Sequence, residues 1–107
     1  MKLRNLEFSF NALDADDLQK FEECSKRLSE VTVPEKFTLV ESIRYQCSEI
    51  DAFFNGILGE DASKKLFTKS GDLGDRVECA AELRKAILDA QNQITKVTDK
   101  IGKIKSK

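Results

Sequence analysis

Aliphatic residues recur with a fixed period through the last third of the chain. Leu83, Ile87, Ala90, Ile94, Val97, Ile101 and Ile104 follow one another in alternating steps of four and three. On a helix this spacing places all of them on one seam. A seam of aliphatic side chains without chemistry is built to touch another helix. That helix can belong to the chain itself, to a second copy or to a partner.

The rest of the chain shows two further kinds of pattern. Residues 3–10 alternate, with Leu6, Phe8 and Phe10 on one side and Glu7 and Ser9 on the other, as in a half-buried strand. No second strand of equal strength follows. The strand is therefore expected as an arm along the helices, or paired with a copy or a partner. Helical spacing then takes over. Asp14 is a capping residue for a first helix over 15–30, with Leu18, Phe21, Cys24, Leu28 and Val31 on its apolar side. Pro34 suits the first turn of a second helix with Val33 as its cap. That helix carries Phe37, Val40, Ile43, Cys47, Ile50, Phe54 and Ile57, widened by Leu39, Phe53 and Leu58, and stops near Gly59. Gly56 inside it implies close packing or a frayed end.

A short helix over 62–67 follows, capped by Asp61, and Ser70–Asp75 reads as a turn. The fourth helix starts at Asp72 or Asp75 and runs unbroken to Gly102, with Leu73 and Val77 extending its apolar face backwards. The predicted fold class is mainly α: a short N-terminal β-strand followed by four helices in a bundle, the last one long. The predicted organisation is a single domain over 1–107, with an arm over 3–10 and a frayed lysine-rich end over 102–107. Phe53, Phe54, Leu66 and Phe67 are the expected core.

Composition narrows the function. Charged residues make up 35 % of the 107 positions, yet the formal net charge is −1. The chain as a whole is then neither a basic nucleic-acid binder nor an acidic tail. No apolar run is long enough to span a membrane and no secretory pattern opens the chain, so a cytoplasmic location is expected. Three widely spaced cysteines, Cys24, Cys47 and Cys79, fit reduced thiols on helices better than a disulfide framework. With no histidine in the sequence, imidazole catalysis and the common zinc and non-haem iron sites are excluded.

The remaining motifs are better read as structural. Asp14-Ala15-Asp16-Asp17 fails as a calcium loop, because Gln19 and Ser25 stand where glycine and glutamate are required. Gly59–Lys65 fails as a phosphate loop, because Ser63 precedes Lys64 where a glycine is needed. Nothing in their spacing singles out Glu22, Glu23, Glu41 or Glu49 as an acid–base pair. The lysine-rich end holds no arginine and no aromatic residue to stack on bases, which argues against nucleic acid. No catalytic, cofactor-binding or metal-binding residue is expected, and no cofactor.

Two segments resemble a known family. Residues 6–18, Leu6-Glu7-Phe8-Ser9-Phe10-Asn11-Ala12-Leu13-Asp14-Ala15-Asp16-Asp17-Leu18, resemble the strand and acidic helix start that open small tail assembly chaperones of siphophages and prophages of Gram-positive bacteria. Residues 50–67, from Ile50 through Phe53-Phe54 and Leu58-Gly59 to Leu66-Phe67, resemble their aromatic-rich segment. The sequence departs from that segment at Gly56-Ile57-Leu58, where the family often has a second aromatic. The resemblance implies a non-enzymatic, helical, oligomeric protein that coats a hydrophobic tape-measure protein until tail-tube subunits replace it.

Two functions are thus in play. One is an assembly chaperone or scaffold, expected to form a homo-oligomer and to bind a tape-measure or tail protein. The other is a small regulatory module, an inhibitor or adaptor acting through helix–helix contacts. Both place the expected protein contacts at Leu6, Phe8, Phe10, Ile87, Ile94, Val97, Ile101 and Ile104.

Overall fold

The computed structural model describes residues 1–105. Its elements are β1 (Lys2–Leu3), β2 (Leu6–Glu7), α1 (Ala15–Ser29), α2 (Leu39–Leu58), α3 (Ala62–Leu66), α4 (Leu73–Gln91) and α5 (Ile94–Lys105). The fold is mainly helical, and α4 and α5 together make one long helix bent at Asn92–Gln93. Residues 102–105 of the lysine-rich end are helical, while Ser106 and Lys107 lie outside the described residues.

The N-terminal strand finds its partner within the chain. β1 and β2 pair antiparallel, Lys2 opposite Glu7 and Leu3 opposite Leu6. The Phe8 N–H donates to the Met1 carbonyl at 2.8 Å and extends the ladder by one step. The turn between the strands puts Arg4 at φ 51° and Asn5 at φ 65°. Two successive left-handed residues match the twist of a two-residue hairpin. Asparagine accepts that conformation readily, whereas arginine does so at a cost. The Arg4 side chain offsets the cost: it donates to Glu82 and to Asp75, each at 2.8 Å, and clamps the hairpin onto α4. The expected arm over 3–10 is thus corrected to a minimal hairpin followed by an extended segment that drives Phe8, Phe10 and Ala12 into the core.

α2 is the central element. α1 and α4 each pack against it, and α3 folds back over its C-terminal end. Cys47, Ile50, Phe53, Phe54 and Ile57 form its buried stripe. The core closes around Phe54, which is fully buried. Phe53 and Phe67 meet it edge-on, with ring centroids 5.3 and 5.4 Å away, the arrangement that aromatic quadrupoles favour. Leu66, Cys79, Leu83 and Ile87 complete the apolar cluster. Gly56 is the site of close packing: a methyl group there would lie 2.8 Å from Cys24 Sγ and would make the Cys24 side chain shift.

Helix boundaries follow local hydrogen bonding. Asp14 and Asp72 cap α1 and α4 by accepting from the N–H groups of Asp17 and Asp75. α2 starts at Leu39, five residues beyond Pro34, because Thr38 and Glu41 form a reciprocal capping box. Pro34 instead opens a turn closed by the Phe37 N–H. Asp61 makes no side-chain cap for α3; Asn55 Oδ1 takes the Ser63 N–H at 2.9 Å in its place. α2 ends at Gly59, whose φ of 113° is strained for any other residue.

Among the described residues one charged side chain is buried. Arg76 is 3 % exposed and occupies the stripe position one turn before Cys79. Its Nε and Nη2 reach the two carboxylate oxygens of Asp51 at 2.8 and 3.3 Å. Its Nη1 donates to the Lys69 and Asp72 carbonyls at 3.0 and 3.1 Å. The guanidinium lies 4.6 Å from the centre of the Phe67 ring. Burial works against the charge, but the hydrogen bond and charge of Asp51 outweigh it and leave the Arg76 pKa above its ordinary value. One side chain therefore ties α2, the loop after α3 and the start of α4. Val77, expected on the apolar face, is displaced to the surface at 55 % exposure.

Arg76→Ala leaves Asp51 unpaired and Phe67 uncovered. The expected loss is about 3–5 kcal/mol in urea unfolding, the range for breaking one side of a buried pair. A loss under about 1 kcal/mol would mean that the tie does not hold the helices.

Candidate protein-interaction site

The seam over residues 83–104 divides in two. Leu83 and Ile87 are buried beneath α2 and the hairpin, and Ala90 is half-buried. Beyond the bend, Ile94, Val97 and Ile101 are 43–47 % exposed and Ile104 is 74 % exposed. The Asn92 N–H reaches the Leu88 and Ala90 carbonyls, and the Gln93 N–H reaches the Ala90 carbonyl. The helix tightens there before α5 restarts. Asparagine is a weak helix former, and no core lies underneath to hold the helix straight. The molecule measures 65 × 28 × 20 Å with a radius of gyration of 17.0 Å. A compact chain of this length would have about 13 Å. α5, about 18 Å long at 1.5 Å per residue, extends the long axis.

The expected contact residues are split accordingly. Phe8, Phe10 and Ile87 belong to this chain's own core and have no surface to offer. Leu6 is half-buried beside Leu3. Ile94, Val97, Ile101 and Ile104 form one stripe of α5 that faces solvent. Lys96, Lys100 and Lys103 stand exposed on its other sides, with Asp99 opposite the stripe. The expected core residues Phe53, Phe54, Leu66 and Phe67 are all buried.

Sequence reasoning missed other exposed apolar residues. Leu39 and Val40 are 77 % and 61 % exposed, because α2 starts beyond the edge of the core. Leu13, Val77 and Leu88 are also near half exposure. Val77 and Leu88 lie on a side face of α4, whose period is hidden by the stronger seam. Arg4 and Arg76 were missed too. The signal for Arg76 was its place at the 76-79-83-87 spacing.

The surface offers little for chemistry. Among the described residues no group of three or more histidine, cysteine, aspartate or glutamate side chains converges. A depression open to solvent is bounded by Ile43, Arg44 and residues 69–74, and its one carboxylate, Asp72, is already the cap of α4. Among the described residues no helix is long and apolar enough to cross a membrane. All three cysteines are unbridged, Cys47 and Cys79 in the interior and Cys24 half-buried against Gly56. Burial raises each thiol, that of Cys79 to about 11. Burial that disfavours the thiolate makes inert, structural cysteines.

Thiol labelling checks this placement. At pH 8 a thiol titrating near 11 has roughly a hundredfold less thiolate than one titrating at 9. In the native protein Cys79 is therefore expected to react with Ellman's reagent at least about a hundredfold more slowly than in urea, with Cys24 the most reactive. Equal native rates for all three would contradict the packing.

Comparison with known proteins places the sequence without assigning it an activity. No curated protein and no solved structure matches the chain. The pattern of one family covers residues 4–106, from the hairpin turn through α5. The chain therefore belongs to DUF6673, a family of unknown function.

Proposed function

We propose that this protein is a non-enzymatic assembly chaperone or scaffold, acting in a bacterial host cytoplasm on a phage tail pathway. In this reading α5 holds hydrophobic segments of a partner such as a tape-measure protein. One observation carries the reading: a helix that leaves the body presents Ile94, Val97, Ile101 and Ile104 to water on a single stripe. Solvent-facing aliphatic rows along one face mark interaction surfaces. The likeness of residues 6–18 and 50–67 to tail assembly chaperones supports the phage context.

The energetics suit a holding role. Ile94, Val97 and Ile101 are about half exposed and Ile104 more so, so full burial of each against a partner contributes about 1 kcal/mol or somewhat more. Four such residues contribute about 4 kcal/mol from this side, and the apolar surface of the partner buried against them adds to it. After the cost of association, the contact is weak enough to be displaced by a permanent neighbour.

The double variant Val97→Asp, Ile101→Asp tests this in co-expression with the tape-measure protein. The variant is expected to keep its helical content and melting temperature, because neither residue is in the core. Its hold on the partner should weaken tenfold or more, and the partner should precipitate. Undiminished solubilisation by the variant would remove α5 from the account. A one-to-one complex with some other protein, with no effect on tape-measure solubility, would favour the regulatory module instead.

A further inference from the structure

The apolar stripe of α5 is narrow. At about 100° per residue, Ile94, Val97, Ile101 and Ile104 fall within an arc of about 80°. A helix that lies on a broad surface needs an apolar arc of about 100° or more, whereas a strip in steps of three and four is the seam that meets one other helix. All four residues face solvent.

The borders of the stripe decide which helix. When two helices join along such a seam, the positions on either side of it face the other helix and set partner choice. Around α5 these positions are Gln93 and Lys100 on one side and Thr98 and Lys105 on the other. Lys96 and Lys103 stand further round on the Lys100 side. Asp99, the one carboxylate of α5, lies opposite, about 180° from the midline of the stripe. The charges at the border positions are therefore all positive, and the one negative charge is where a partner on the stripe does not meet it.

We infer that the occupant of the α5 stripe is one amphipathic helix of another protein, its own apolar seam bordered by glutamates or aspartates. The inference rests on the reading that α5 works by contact, and names the chemistry of what it touches. Ile94 to Ile104 spans about 15 Å, so the contact takes about three turns of the partner. So short a seam holds little by apolar burial alone, and the charges beside it carry weight in the choice. Carboxylates there are drawn to positions 100 and 105, and a lysine-bordered helix is repelled on both sides.

The same borders turn away the α5 helix of a second copy. Laid side by side in the same direction, two α5 helices set position 100 against position 105, lysine against lysine. Laid in opposite directions, they set each border against itself, and Lys100 meets Gln93 or Lys100. Neither orientation brings an acid to the borders. The stripe is thus kept open for a different chain, as a holding surface requires.

Peptide binding to the full chain tests the proposal. Three helical peptides share one seam of isoleucine and leucine and differ at its borders, which hold glutamate, glutamine or lysine. In about 50 mM NaCl, fluorescence anisotropy is expected to show the glutamate peptide bound at least about fivefold more tightly than the lysine peptide, with glutamine between them. About 500 mM NaCl should shrink that ratio to under about twofold, because exposed charge pairs are screened. Lys100→Glu, Lys105→Glu should invert the order and leave the affinity for the glutamine peptide unchanged, the sign that the apolar seam is intact. Lys100→Glu alone is read in its place should the double variant lose the glutamine peptide. Val97→Asp, Ile101→Asp should abolish binding of the glutamate peptide. The proposal is overturned by a smaller ratio at low salt, by an order that reversing the lysines leaves as it was, by glutamate-peptide binding that survives Val97→Asp, Ile101→Asp, or by a chain that binds none of the three. Binding through α5 to vesicles of anionic phospholipid, with no preference among the peptides, would assign the stripe to a lipid surface and overturn it too. Should the peptides show no preference while α5 still solubilises the tape-measure protein, the border assignment falls and the proposed function stands. Should the preference hold while solubilisation does not depend on α5, the border assignment stands and the proposed function falls.

Discussion

The structure turns on where its core ends. The seam that begins at Leu83 is covered as far as Ile87, because α2 and the hairpin lie over it. No element of the described chain covers the same seam beyond Asn92. A 12-residue helix is marginal in water on its own, and α5 carries four aliphatic residues that only another surface can bury. The bend at Asn92–Gln93 marks the passage from residues held by the fold to residues available to something else.

The body behind α5 is built on a core of modest size. Its aromatic centre, Phe53, Phe54 and Phe67, is bounded by two arginines. Arg76 ties α2 to α4 from within, and Arg4 ties the hairpin to α4 from the edge through Asp75 and Glu82. Phe67 lies within reach of both guanidinium groups. Each tie joins elements distant in sequence, and removing one partner would leave the other charge unpaired. The three cysteines fill space, and Cys24 does so directly against Gly56.

Much of this was legible in the sequence. Asp14 and Gly59 set helix ends where their chemistry required, and the period-3.6 stripes named the buried face of α2. The failures are physical and local. Lys2–Leu3 is too short to show alternation, and Arg4-Asn5 lacks the glycine that advertises a hairpin, so a paired strand looked unpaired. Pro34 was the louder signal for the start of α2, but the Thr38–Glu41 box satisfies two backbone donors and Pro34 satisfies none. Arg76 escaped notice because a charge inside an apolar stripe reads as an interruption until Asp51 is seen to meet it. The seam itself was visible, but a periodic pattern shows which way side chains point and says nothing of what covers them. That is why Phe8, Phe10 and Ile87 were grouped with Ile94, Val97, Ile101 and Ile104, although the fold separates them.

Amide hydrogen exchange across residues 94–105, followed against protein concentration and added partner, tests the central claim most directly. The account predicts fast exchange in the dilute chain and protection that rises as another chain covers the α5 stripe, while the α2 amides stay protected throughout. Strong protection of α5 in the isolated monomer, unchanged by concentration or partner, would show that the chain covers its own stripe and would contradict the account.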